Sequence, residues 1–156
     1  MKKYDKVLFV SHSDTCRGPM AEAIMQNKVL LEDILIDSKG MIVLLPEPVN
    51  QKAEEILNRN DLTMKEHEAV LFTRDDFDER TLILVMEQGQ ADKIREEYRD
   101  AVKNLYLVTE YSGSGAGDIY NPIGGDLEEY GKCFYILKNE IADIVERLLS
   151  EEEEEC

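Results

Sequence analysis

The residues best equipped for chemistry are consecutive: Ser11-His12-Ser13-Asp14-Thr15-Cys16-Arg17-Gly18-Pro19-Met20-Ala21-Glu22. The apolar run Val7-Leu8-Phe9-Val10 leads into them, and Pro19 suits the first turn of a helix, where its missing N–H costs nothing. A strand–loop–helix turn of this kind aims backbone N–H groups and the positive end of the helix dipole at one spot, which makes an anion site. Arg17 adds a planar, two-pronged donor that matches phosphate geometry. The candidate phosphate-binding residues are therefore Ser11, His12, Ser13, Asp14, Thr15, Cys16 and Arg17. His12 adjoins Ser11, but neighbours on such a loop point apart, so a Ser/His catalytic pair is not expected.

The elements that must position this segment follow from periodicity. Lys6 to Val10 reads as a buried strand, and Pro19 to about Leu31 as a helix with Met20, Ala23, Ile24 and Val29 near helical spacing. Ile34 to Asp37 reads as a second strand, and residues 49–59 as a helix with Ala53, Ile56 and Leu57 on one face. Thr81 to Met86 is a continuous apolar strand of the kind buried on both faces in parallel sheets. Ala91 to Tyr98 is helical, Leu105 to Val108 a fourth strand, and Asp126 to about Leu149 a long amphipathic helix. This alternation predicts an α/β fold: a three-layer, four-stranded parallel sheet with helices on both faces and the phosphate loop after the first strand. Ligands of such folds bind beyond the carboxyl ends of the strands, where the loops 11–18 and 109–121 both emerge.

Read as a whole, the chain resembles the low-molecular-weight protein-tyrosine-phosphatase family. That family carries C-x-G-N-x-C-R-S-P-M-A-E after its first strand, where this sequence has S-H-S-D-T-C-R-G-P-M-A-E. The likeness continues through Asp37-Ser38-Lys39-Gly40 (the family's D-S-A-G) and Pro48 to Ala53 (its P-x-D-x-R-A). It extends to Asp118-Ile119-Tyr120-Asn121-Pro122-Ile123-Gly124-Gly125, which resembles D-I-x-D-P-x-G-G. The resemblance implies a two-step reaction. A cysteine thiolate attacks phosphorus, the arginine and loop amides hold the oxygens, and an aspartic acid protonates the leaving group and then activates water.

Against that pattern the sequence departs at several positions. Ser11 occupies the nucleophile position, and a serine hydroxyl is far harder to ionise than a thiol. Asn121 occupies the general-acid position, and an amide has no proton to give. Asp118, three residues earlier, either supplies that proton or merely hydrogen-bonds the loop or Arg17. Ser13 replaces a glycine, Asp14 an asparagine and Gly18 a serine that supports the thiolate, changes that suggest divergence beyond one substitution. Cys16 matches the family's second loop cysteine, which can protect the nucleophile by a disulfide. With Ser11 in place it reads as a small buried residue. The walls of the ligand slot look aliphatic (Met41 to Leu45, Ile123), with Tyr120 either a replacement wall or a surface or packed tyrosine. Thr15 resembles the branch of the family that acts on phosphoarginine. His67 is expected to pack, and Lys39 and Lys52 to be solvated. Gly113, Gly115 and Gly117 mark either a lid before Asp118 or an exposed loop.

Composition bounds the partners. A hydrophobic fraction of 43% marks a globular chain, and the short apolar runs cannot span a bilayer. The net charge of −16 remains about −11 by subtraction of Glu151 to Glu155, so a field of this sign repels nucleic acid and anionic membranes. Three cysteines without metal-type spacing predict neither a disulfide framework nor a zinc site, and no metal or cofactor is expected. The expectation is a cytoplasmic monomer, one domain over 1–150 with an acidic disordered tail over 151–156 in which Cys156 is a solvated thiol. Its partner would be a phosphorylated protein or small phosphomonoester, with phosphate or a similar oxyanion in the loop. Two functions stand: a phosphomonoesterase, phosphotyrosine first, nearly inactive because of Ser11, or a pseudophosphatase that binds a phosphorylated partner without hydrolysis. An arsenate reductase would need further well-placed redox cysteines and ranks last.

Overall fold

The computed structural model describes residues 3–28 and 33–154. Four strands, β1 (Lys6–Ser11), β2 (Leu35–Gly40), β3 (Thr81–Val85) and β4 (Leu105–Leu107), form one parallel sheet in the order β2-β1-β3-β4. The order makes β1 the switch point: the chain crosses to one side for β2 and to the other for β3, opening a crevice at the carboxyl end of β1. Ser11 stands at that end, in register with Gly40 of β2.

Period-two alternation of β1 and β3 explains why helices cover both faces. Val7, Phe9, Leu82 and Leu84 point to one face, packed with Met20 and Ile24 of α1 (Arg17–Gln26), Ala53 and Leu57 of α2 (Gln51–Arg59) and Leu137 and Ile141 of the last helix. Leu8, Val10, Ile83 and Val85 point to the other, against Ala91 and Ile94 of α3 (Gln88–Tyr98) and the edge-to-face cluster of Phe72, Phe77 and Tyr98. The fold is the expected one, and its boundaries differ for local reasons. α1 begins at Arg17, not Pro19, which puts the arginine in the first turn; part of its expected continuation, Val29 to Leu31, lies outside the described residues. β4 ends at Leu107, and the chain turns at once into a short helix, α4 (Val108–Ser112). Glu110 accepts from the Leu107 amide to start it, and Gly113 at φ 90° stops it. α5 runs from Leu127 to Glu154, past the expected end near Leu149. Cys156 lies outside the described residues.

Candidate phosphate-binding site

The loop between β1 and α1 is held from outside by its carbonyls. Ser11 O accepts from Met41 N (2.9 Å), His12 O from Ile42 N (2.9 Å), Thr15 O from Asn50 N (2.8 Å) and Asp14 O from His67 Nε2 (2.8 Å). With the carbonyls turned out, the amides of residues 12–16 have no protein acceptor among the described residues. A ring of uncommitted N–H groups above a helix N-terminus is a nest for an anion. Asp14 makes the bend at φ 59°, a left-handed conformation that Asp and Asn tolerate better than most residues.

Arg17 completes the nest. Its side chain is 1% exposed; Nη1 donates to Glu87 Oε2 (2.7 Å) and to Ile119 O (2.7 Å), while Nη2 is buried with no partner among the described residues. A buried guanidinium with one prong fixed and one free is oriented to receive an oxyanion. Glu87, at the start of α3, escaped the sequence reading because it lies 70 residues from Arg17 and belongs to none of the recognised motifs. Asp118 reaches the same corner, where its Oδ1 accepts from Gln88 N (2.7 Å), next to Glu87 and not on Arg17. Asn121 is exposed, and its Oδ1 accepts from Ile123 N (3.2 Å). A cavity of about 280 Å³ opens beside the loop, lined by His12, Met41, Ile42, Glu87 and Lys93 among others.

Behind the loop lies a buried polar cluster. Asp14 Oδ2 accepts from Val70 N (3.1 Å) and sits 3.3 Å from His67 Nε2. Nε2 faces two acceptors of Asp14 and so carries a proton. Burial pulls the His67 pKa down, but the bonds and charge of Asp14, helped by Glu22, leave it above its ordinary value. Glu22 accepts from Ser38 Oγ (3.0 Å), and burial pushes its carboxyl up to about 7 against that hydrogen bond. The expectation that His67 merely packs is thus corrected, because its ring clamps the loop at Asp14.

Several other readings resolve here. Cys16 is buried: its Sγ lies 3.6 Å from Tyr130 Oη and 3.8 Å from Thr15 Oγ1, which in turn lies 2.7 Å from Ser13 Oγ. Burial pushes its thiol pKa up, outweighing these contacts, and pushes that of Cys133 up to about 12. Lys39 and Lys52 are not simply solvated, since Lys39 pairs with Asp76 (3.0 Å) and Lys52 donates to Gly125 O (2.6 Å). Tyr120 is 39% exposed and donates to Glu129 O (2.7 Å), at the edge of a surface groove of about 1010 Å³ between α2 and α5. Ile42, Leu44, Leu45, Val70 and Leu71 are exposed, so the loops after β2 and before Phe72 present aliphatic surface. Gly113, Gly115 and Gly117 all take positive φ; Thr109 Oγ1 donates to Gly117 O and Ser114 Oγ to Glu140, pinning the segment that carries Asp118. No cluster of three or more His, Cys, Asp or Glu among the described residues could hold a metal ion, and no described helix is long and apolar enough to cross a membrane.

The fold is a four-stranded parallel α/β sheet whose inner strand β1 leads into a loop of uncommitted amides beside a buried arginine, an arrangement suited to an oxyanion. The family profile of low molecular weight phosphotyrosine protein phosphatase matches residues 6–154, and the chain belongs to that family. It is 27% identical to the protein-arginine-phosphatase of Geobacillus stearothermophilus over 94% of this chain and 98% of the relative. It is 30% identical to the low molecular weight protein-tyrosine-phosphatase PtpB of Staphylococcus epidermidis over 92% and 96%. The solved structure of the YwlE arginine phosphatase from Geobacillus stearothermophilus superposes with a TM-score of 0.88 at 28% identity, covering 96% of both chains.

Proposed function

We propose that this protein binds the phosphoryl group of a phosphorylated protein residue in the 11–17 loop, and that Ser11 stands where its relatives carry the nucleophilic thiol. The observation that carries the reading is the pairing of uncommitted loop amides with the free, buried Nη2 of Arg17. On this reading turnover by the thiol route is nearly abolished, because a serine hydroxyl ionises far less readily than a thiol beside the same nest. Asp118 is the residue we assign to leaving-group protonation, since it hangs from the α3 N-terminus beside Glu87 while Asn121 has no proton to give.

Two substrates remain. Phosphotyrosine fits the tyrosine-phosphatase relatives. Phosphoarginine is favoured by Thr15, a buried threonine on the loop, together with the likeness to an arginine phosphatase. The test is steady-state hydrolysis of phosphotyrosyl and phosphoarginyl peptides by Ser11→Cys beside the unaltered chain, between about pH 5 and 7.5. Hydrolysis by the cysteine variant alone supports a phosphatase disabled at one atom. Phosphate binding without hydrolysis in either protein would sink that reading and leave a pseudophosphatase.

A further inference from the structure

Three positions that depart separately from the family signature meet at one point in space. A Cβ built on Gly18 would lie 3.0 Å from Ser11 Oγ and 3.0 Å from Asp14 Oδ1. Both oxygens are buried and neither has a hydrogen-bond partner among the described residues. Their chemistry is complementary, since a hydroxyl must place one proton and a carboxylate oxygen can only accept one. In the family signature the three positions are cysteine, asparagine and serine, none of which is a carboxylate. Here the thiol, the amide and the second hydroxyl are gone together, and a hydroxyl faces a carboxylate across the gap left by glycine.

We propose that Asp14 is the proton acceptor for Ser11, making Ser11 a phosphoryl acceptor in its own right. The inference rests on the reading of Ser11 as the nucleophile position. In the step, Ser11 Oγ bonds to phosphorus as the bond from phosphorus to the leaving atom breaks, with its electron pair going to that atom. The hydroxyl proton passes to Asp14 Oδ1 by a turn about χ1, and the product is a phosphoserine at position 11. Protein kinases use the same elementary device, an aspartate that accepts the proton of the attacking hydroxyl. Val70 N and His67 hold the other carboxylate oxygen, so Oδ1 stays aimed at the gap while Arg17 and the loop amides take the phosphoryl oxygens.

The probe is p-nitrophenyl phosphate, whose phenolate leaves without needing a proton, so the role of Asp118 does not enter. Phosphorylation of the Ser11 peptide is followed by mass spectrometry in the unaltered chain and in Asp14→Asn. Steady-state hydrolysis is followed in Ser11→Cys with and without Asp14→Asn. Asparagine keeps the left-handed bend and the acceptor for Val70 N, so the variant keeps its fold. The expected result is a reversal of sign. Asp14→Asn slows phosphorylation of Ser11 by about 10²-fold, the scale of a lost general base, but speeds the cysteine background by about tenfold, because a neighbouring carboxylate opposes a thiolate. An unchanged rate on Ser11, or a fall in both backgrounds together, overturns the proposal in favour of a structural role. A Ser11 that never gains phosphate while Ser11→Cys hydrolyses overturns it and leaves the site reading standing. Failure of every protein to react and to bind inorganic phosphate removes both.

Discussion

Arg17 is 1% exposed, so its charge must be answered from within the protein or by a ligand. Glu87 answers half of it, and Glu87→Ala strands the guanidinium; because Glu87 is itself partly exposed, the expected loss is about 2 kcal/mol, below the roughly 3–5 kcal/mol for breaking a fully buried pair. Bound phosphate then becomes the missing counter-ion. The rise in Tm on adding phosphate should therefore be larger for Glu87→Ala than for the unaltered chain, and an equal rise would detach Glu87 from the anion site. Glu22 makes a second residue-scale prediction. A carboxyl held at about 7 in the folded state, against 4.5 unfolded, contributes stability that is intact below about pH 4.5 and lost as pH rises to about 7, on the order of 3 kcal/mol. His67, raised when folded, acts in the same direction: its contribution is present below its unfolded pKa and fades as pH rises through the folded one. Urea midpoints should fall between pH 5 and 8, and Glu22→Gln, which still accepts from Ser38, should flatten most of that slope. A variant that keeps the full slope would contradict the assignment.

At the scale of elements, the segment 113–118 decides where Asp118 stands. It is tied to α5 by Ser112 and Ser114 on Glu140, and to α4 through Thr109 on Gly117. Glu140→Ala should speed amide exchange over 113–118 at least tenfold and weaken phosphate binding a few-fold, leaving exchange in β1 and β3 unaltered. Uniform exchange across the protein would mean that Glu140 serves the core instead. The strands that carry the site were legible because β1 and β3 are continuous apolar runs, and a chain with that pattern has little choice but a doubly covered parallel sheet. α4 was not legible, since one helical turn started by a side chain and stopped by a glycine leaves no periodicity. The Glu87–Arg17 pair was invisible for another reason. Nothing local marks it, and only the adjacency of β1 and β3 brings the two residues together. The place of the loop between β1 and α1 was legible from the apolar run before it and Pro19 after it, whereas the convergence of Ser11, Asp14 and Gly18 needed three dimensions.

At the scale of the molecule, a net charge of −16 surrounds the loop we propose as an anion site. The nest and Arg17 attract over a few ångströms, and the remainder repels over the Debye length, about 10 Å at 0.1 M salt. Phosphate should therefore bind more tightly as salt is raised from about 0.02 to 0.2 M with a non-competing chloride, the reverse of binding to a basic protein. Weakening with salt would show that the local attraction is itself long-ranged and exposed. The same field favours phosphorylated peptides with basic flanks. The central claim is that the loop after β1 is an oxyanion cradle, and the most direct test is a titration of the unaltered chain with inorganic phosphate, read by backbone amide shifts. Saturable shifts of the amides of residues 12–17 and of the Arg17 side chain are expected. Shifts confined to the groove between α2 and α5, or none at all, would contradict it.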